Sequence, residues 1–294
     1  MSINRNNRIK YGPLRRLLAG LLSILLVAAS FAVPALAADP AIPNFWDAKE
    51  RLKKPDLSEL RRLRFLTTLD FPPFNFLDSD GELTGFNVDL ARAVCAELGI
   101  LDKCQVQALP FADLGDALRK GQGDAIIAGM AVTPKSRDEF AFARPYLRFP
   151  ARFIMPRPTA LSEPIYRKLA GLRIGVIAGS AHERMLRAYF SDVRPVTFTR
   201  LDWLYQDLRE RKIDGAFGDG MRFSFWLAGT DSQGCCRFAG GPYLAPEYLG
   251  QGMAIAVEKK NFALAAAFDY ALREITVSGK FAELYLRYFP VSFY

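Results

Sequence analysis

At 294 residues, half hydrophobic and 13% aromatic, the chain can bury one large or two modest cores. Its 24% charged residues exclude wholesale disorder. The net charge of +8 leans on five bases in residues 1–37; without them 34 bases face 31 acids, a poor clamp for phosphate backbones, and no nucleic-acid partner is expected.

Residues 1–37 read as an export signal. Arg5, Arg8, Lys10, Arg15 and Arg16 lead into an apolar run, Leu17 to Val33, and then Pro34-Ala35-Leu36-Ala37. Small residues three before and one before a cut after Ala37 suit signal peptidase. An uncleaved anchor is the alternative, but seventeen residues broken by Gly20, Ser23 and Ser30 are marginal for ~30 Å of hydrocarbon. Cleavage leaves a soluble exported chain of 257 residues.

Residues 38–61, rich in Pro and charge, read as an irregular extension with room for a short helix. A strand is predicted at Phe65–Leu69, then the turn Phe71-Pro72-Pro73-Phe74 and a hairpin tip at Asp80-Gly81. Asn87 is placed as the cap of a helix over Val88–Leu98, whose apolar stripe ends at Gly99. A strand (Gln105–Leu109), a helix (Ala112–Lys120) and the apolar strand Asp124–Ala128 follow. This cadence implies largely parallel sheets covered on both faces.

After an extended stretch, Tyr146–Pro158, the cadence restarts. A strand at Leu172–Ile177, helices at Ala181–Phe190 and Leu201–Arg211, and a strand at Gly215–Gly218 are predicted. The Phe223–Trp226 run is expected to bury a helix face. Past Gly240-Gly241-Pro242 come a strand, Gly252–Val257, a helix capped by Asn261, and a last helix, Lys280–Phe289. The expected architecture is two α/β lobes, joined by crossings near 148–154 and 245–252. Lobe 1 takes residues 62–150, lobe 2 takes 151–247, and 248–294 returns to lobe 1.

Four cysteines in an exported chain permit disulfides. Cys95, late in a helix, and Cys104, opening the next strand, are expected to pair. Cys235 and Cys236 form either a vicinal disulfide or two thiols on opposite faces of an extended loop. The single histidine, His182, excludes a site needing two imidazoles. His182-Glu183 begins like a zinc-protease motif, but Leu186 stands where the second ligand belongs, so no metal is expected.

Eight motifs then occur in register. They are Phe71-Pro72-Pro73-Phe74, Asp80-Gly81 with Gly85-Phe86-Asn87-Val88-Asp89-Leu90, Gly123-Asp124-Ala125 through Gly129-Met130, and Thr133-Pro134. Arg144-Pro145-Tyr146, Gly171-Leu172-Arg173-Ile174-Gly175-Val176, Gly179-Ser180 and Ile213-Asp214-Gly215-Ala216 through Asp219 complete the series. Over residues 62–290 the chain resembles the extracytoplasmic solute-binding proteins of family 3, receptors of polar amino acid ABC importers. The resemblance implies a two-lobe, type II periplasmic-binding-protein-like fold with a ligand cleft between the lobes. It implies a periplasmic monomer that hands a small solute to an inner-membrane ABC permease, with no cofactor and no catalysis. The Cys95–Cys104 pair also occurs in some members.

The resemblance also suggests a site. Phe71 and Phe111 stand where aromatic or hydrophobic residues pack on the ligand, although either alone would be assigned to the core. Gly129, Ala131 and Thr133 occupy the strand-end segment that meets a ligand carboxylate, as does the helix start at Ser180. Asp219 stands where a carboxylate holds the ligand's amino group; its local alternative is a helix cap. A helix N-terminus, an arginine fork and an opposed carboxylate together suit a zwitterion.

The carboxylate side departs from the pattern. The position three after Thr133 is Ser136, and Arg137 comes one later, rotated ~100° on a helix. Either Arg137 reaches round, or Arg144, Arg148 or Arg222 supplies the fork, or the ligand is not a standard α-amino acid. His182 follows the Gly-Ser turn and stands between ligand contact and a first-turn surface role. Rival readings are a cyclohexadienyl dehydratase-like enzyme, with Glu183 or Asp219 as acid or base, and a periplasmic sensor input.

Overall fold

The computed structural model describes residues 41–47, 49–130, 132–159, 164–289 and 291–294. The expected export signal and Ala131 lie outside the described residues.

The first sheet is built on β1 (Leu63–Thr67), an apolar run buried on both faces apart from half-buried Arg64. A small antiparallel sheet follows, β2 (Asp70–Phe71), β3 (Asn75–Leu77) and β4 (Leu83–Thr84), with the Asp80-Gly81 turn between its last two strands. Helix α1 (Phe86–Glu97) buries Phe86, Val88, Leu90, Ala91, Val94 and Cys95. Gly85 heads it at φ 125°, and a Cβ there would stand 2.3 Å from the Phe74 carbonyl oxygen. Only glycine fits that approach.

Asn87 is not the cap of this helix. It lies inside α1, fully buried, donates through Nδ2 to Asn75 Oδ1 (2.9 Å), and accepts from the Tyr146 hydroxyl (2.8 Å). Asn75 in turn donates to Thr68 Oγ1 (2.6 Å). A buried amide needs such partners, and here they tie the hairpin, the helix and the lobe crossing together.

Strands β5 (Cys104–Ala108) and β6 (Ala125–Ile126) run parallel on either side of β1, with α2 (Leu114–Arg119) between them in sequence. Helix α3 (Pro134–Glu139) leads to β7 (Phe140–Phe142) at the edge. The second sheet opens with β8 (Ala151–Pro156). Strand β9 (Arg173–Ile177) and helix α4 (Ala181–Tyr189) come next, then β10 (Arg194–Phe198) and α5 (Leu201–Arg209). Strand β11 (Gly215–Asp219), helix α6 (Gly220–Ala228) and β12 (Cys236–Tyr243) complete the lobe. After α7 (Pro246–Leu249) the chain returns through β13 (Ala256–Glu258), α8 (Phe262–Val277) and α9 (Lys280–Tyr288).

The two sheets share one plan, β5-β1-β6-β13-β7 and β10-β9-β11-β8-β12. Each has two parallel and two antiparallel pairings, so the expectation of largely parallel sheets is corrected. The cause is the crossing. The strand arriving from the other lobe, β8 or β13, enters antiparallel beside the third strand of each block. Both lobes lock the same junction with an arginine fork, Arg64 on Asp124 (3.0 Å) and Arg173 on Asp214 (2.9 Å). The crossing segments pair directly. Tyr146 N–H donates to the Met253 carbonyl (2.9 Å) and Met253 N–H to the Leu147 carbonyl (2.7 Å).

Core forms on both faces of each sheet, as their apolar strands require. Asn261 caps α8, accepting from the Leu264 N–H (3.2 Å). Residues 41–61 hold no helix among the described residues; Trp46, Ile42, Leu52, Leu57 and Leu60 lay them against the first lobe's core. Arg144 fixes that extension by forking both carboxylate oxygens of Glu50 (2.6 and 2.7 Å). Cys95 and Cys104 face each other with Cα atoms 6.4 Å apart, and the Cys235 and Cys236 sulfurs meet across one peptide bond.

Candidate functional site

In open α/β sheets, ligands bind beyond the carboxyl ends of the strands. That edge of the second sheet carries Ser180, three residues past β9, Thr199, just past β10, and Asp219, the last residue of β11. These residues line one pocket of about 410 Å³, together with His182, Leu204, Phe217, Arg222 and Phe223.

Asp219 is both a cap and a pocket carboxylate. Its Oδ1 accepts from the Met221 N–H (2.8 Å) and the Arg222 N–H (3.3 Å), closing the first turn of α6. Its Oδ2 makes no hydrogen bond among the described residues. Ser180 caps α4 in the same way, accepting from the Glu183 N–H (3.0 Å) and donating to the Ile177 carbonyl (2.6 Å). Glu183 Oε2 reaches back to the Gly179 N–H (2.7 Å). Ser180 therefore offers the pocket the head of a helix more than a free hydroxyl.

His182 is half-buried at the pocket, its ring edge-on to Phe217 at 6.4 Å between centroids. Burial lowers its pKa; the Asp219 carboxylate opposes this and the Arg222 guanidinium adds to it. The imidazole is thus neutral at pH 7. Protonation, coming as the pH falls through the unfolded value of about 6.5, weighs against the folded state. As the chain has one histidine, its proton NMR titration is unambiguous. A midpoint below the ordinary value is expected, and one at or above it would contradict this placement.

The remaining candidates stand on lobe 1, where they follow its parallel strands. Phe71, 36% exposed, stacks on Phe74 at 4.8 Å. Its ring edge lies so near Gly129 that a Cβ there would come within 2.8 Å. Phe111, 54% exposed, sits on a single turn after β5. Thr133 and Ser136 form a reciprocal cap on α3, with Thr133 Oγ1 accepting from the Ser136 N–H (3.1 Å) and Ser136 Oγ from the Thr133 N–H (2.9 Å). Arg137 donates through Nη2 to Gln251 Oε1 (2.9 Å) and rests 6.0 Å from the Phe142 ring centre.

The structure therefore brings Ser180 and Asp219 together. Phe71, Phe111, Gly129, Thr133, Ser136 and Arg137 do not line the lobe 2 pocket. His182 and Arg222 do, and the sequence carried a signal for each: one follows the Gly-Ser turn and the other sits three residues after Asp219. Phe217 comes in on β11 with Asp219, within the same motif, whereas Leu204 had no signal because it arrives from a separate element, α5. Phe223 is buried, as expected of a helix face, and also forms pocket wall.

A family model described as bacterial extracellular solute-binding proteins, family 3, matches residues 63–291. ABC transporter arginine-binding protein 1 of Escherichia coli K12 is 29% identical over 79% of this chain and 93% of its own. The L-arginine-binding protein of Pseudomonas aeruginosa is 28% identical over 83% and 93%. Among solved structures, the L-cystine solute receptor of Neisseria gonorrhoeae, in its unliganded open conformation, superposes with a TM-score of 0.66. It is 20% identical, covering 79% of this chain and 94% of that one. Substrate-binding domain 2 of Lactococcus lactis GlnP, also open, gives a TM-score of 0.63 at 22% identity, over 79% and 97%.

Proposed function

Because the chain belongs to the bacterial extracellular solute-binding proteins of family 3, we propose that it captures a small polar amino acid or close relative between its lobes. It is the substrate-binding component of an ABC importer, and it hands its solute to an inner-membrane permease. The observation that carries the ligand class is the lobe 2 pocket, which the Asp219 carboxylate and Ser180, at the head of α4, both line. A carboxylate suits an ammonium and a helix head suits an anion. Lobe 1 contributes Phe71 and Phe111 on closure about the paired crossing segments. Ligand touching both lobes favours the closed state by its differential affinity. We place lobe 1 at residues 62–150 and 248–294 and lobe 2 at 151–247. Residues 1–37 are removed after Ala37, Cys95–Cys104 and Cys235–Cys236 are oxidised in the periplasm, and the mature chain is a monomer.

Isothermal titration of the mature chain, stripped of bound solute, against amino acids, amines and small organic acids tests the reading. Saturable one-to-one binding by an amino acid is expected. Silence across the whole panel would defeat the ligand class while leaving the fold untouched.

A further inference from the structure

A zwitterion needs a cation for its carboxylate, and the arginines differ sharply in what they already hold. Arg137 is bonded to Gln251 and lies on Phe142. Arg144 is locked on Glu50, with Asp269 beside it. Arg148 stacks 4.8 Å from the Phe45 ring centre. Arg222 stands apart from these: it lines the pocket, and its guanidinium makes no hydrogen bond or ion pair among the described residues.

Its position is set by the chain. Asp219 is the cap of α6 and Arg222 is three residues on, so the two side chains rise from neighbouring points of one turn. They form no ion pair with each other, and each keeps hydrogen-bonding capacity toward the pocket. Two opposite charges, adjacent but not joined, match the two ends of a zwitterion.

The charge count then narrows the guest. Among the described residues lining the pocket, Asp219 is the sole carboxylate and Arg222 the sole cation, while His182 is neutral. A ligand carrying a second ammonium or a guanidinium meets no second carboxylate there and faces Arg222 instead.

We propose that Arg222 is the anchor for the ligand's carboxylate and, set against Asp219, selects net-neutral zwitterions over dibasic amino acids. This rests on the solute-binding reading and departs from the arginine named for the relatives above. A fork from lobe 2 does in this chain what the displaced Arg137 is not placed to do.

Two arms test it separately on the mature chain. In the first, the His182 ring proton reports acetate, a carboxylate alone. A saturable shift is expected in the wild type and its loss in Arg222→Ala; a shift that persists in Arg222→Ala would overturn the anchor. In the second, calorimetry compares glutamine, arginine and glutamate. Glutamine is expected to bind at least tenfold tighter than either charged ligand. Arg222→Ala should weaken glutamine at least tenfold, Arg222→Lys less, and Arg137→Ala less than Arg222→Ala. Tighter binding of arginine, or a larger loss from Arg137→Ala, would overturn the selectivity. If no amino acid binds, the ligand class and the selectivity fall together, and the acetate arm still decides Arg222. Arg222 is exposed, so its loss leaves the core intact, and circular dichroism of the variants checks the fold.

Discussion

Replacing Asp219 with Asn should abolish most of the ligand affinity while leaving the fold almost as stable. The amide oxygen of Asn still accepts from the Met221 and Arg222 N–H groups, so the first turn of α6 keeps its cap. The ammonium of the proposed amino acid ligand, however, would lose Asp219, the only carboxylate among the described residues lining the pocket. Truncating one side of such a desolvated charge pair costs about 2–5 kcal/mol, roughly 30-fold to several thousand-fold in Kd. Asp219→Ala removes the cap as well and should lose a further ~1 kcal/mol of stability. Calorimetry and urea unfolding of both variants separate the two roles. Unchanged affinity in Asp219→Asn would mean that the ligand sits elsewhere.

The largest stability loss is expected from Phe86→Ala. Phe86 has no exposure, and its ring meets those of Phe74, Tyr146, Phe281, Tyr288 and Phe289 at 5.5–6.3 Å between centroids. Removing a buried phenyl ring loses its transfer energy and leaves a cavity, together about 3–5 kcal/mol. That is a large share of the ~5–15 kcal/mol that holds a typical domain folded. Urea unfolding should show a lower midpoint at unchanged slope. Phe74 also links this cluster to Phe71, the lobe 1 residue proposed to close on the ligand, since the two rings stack at 4.8 Å. An unfolding free energy within ~1 kcal/mol of wild type would show that the cluster repacks around the gap.

Local chemistry was the legible part. Asn261 and Ser180 are caps whose partners lie three residues along the same chain, so sequence spacing alone identifies them. Asp219 is equally local, and its place in the series of motifs added a second role that a cap alone would not suggest. Asn87 failed for the opposite reason. It has the residue type of a cap, yet its partners Asn75 and Tyr146 are 12 and 59 positions away, and their burial draws it inside the helix. Arg144 had the charge to serve a ligand, but Glu50, 94 residues earlier, holds it.

From sequence alone came the alternation of strands and helices, two blocks with a crossing between them, and the residues that start α4 and α6. Those features depend on periodicity and on contacts within a few residues. Tertiary structure alone decided the mixed strand order of each sheet and the fate of each arginine. Strand partners and ion pairs form between distant segments, and only folding determines which groups meet and which stay free for a ligand.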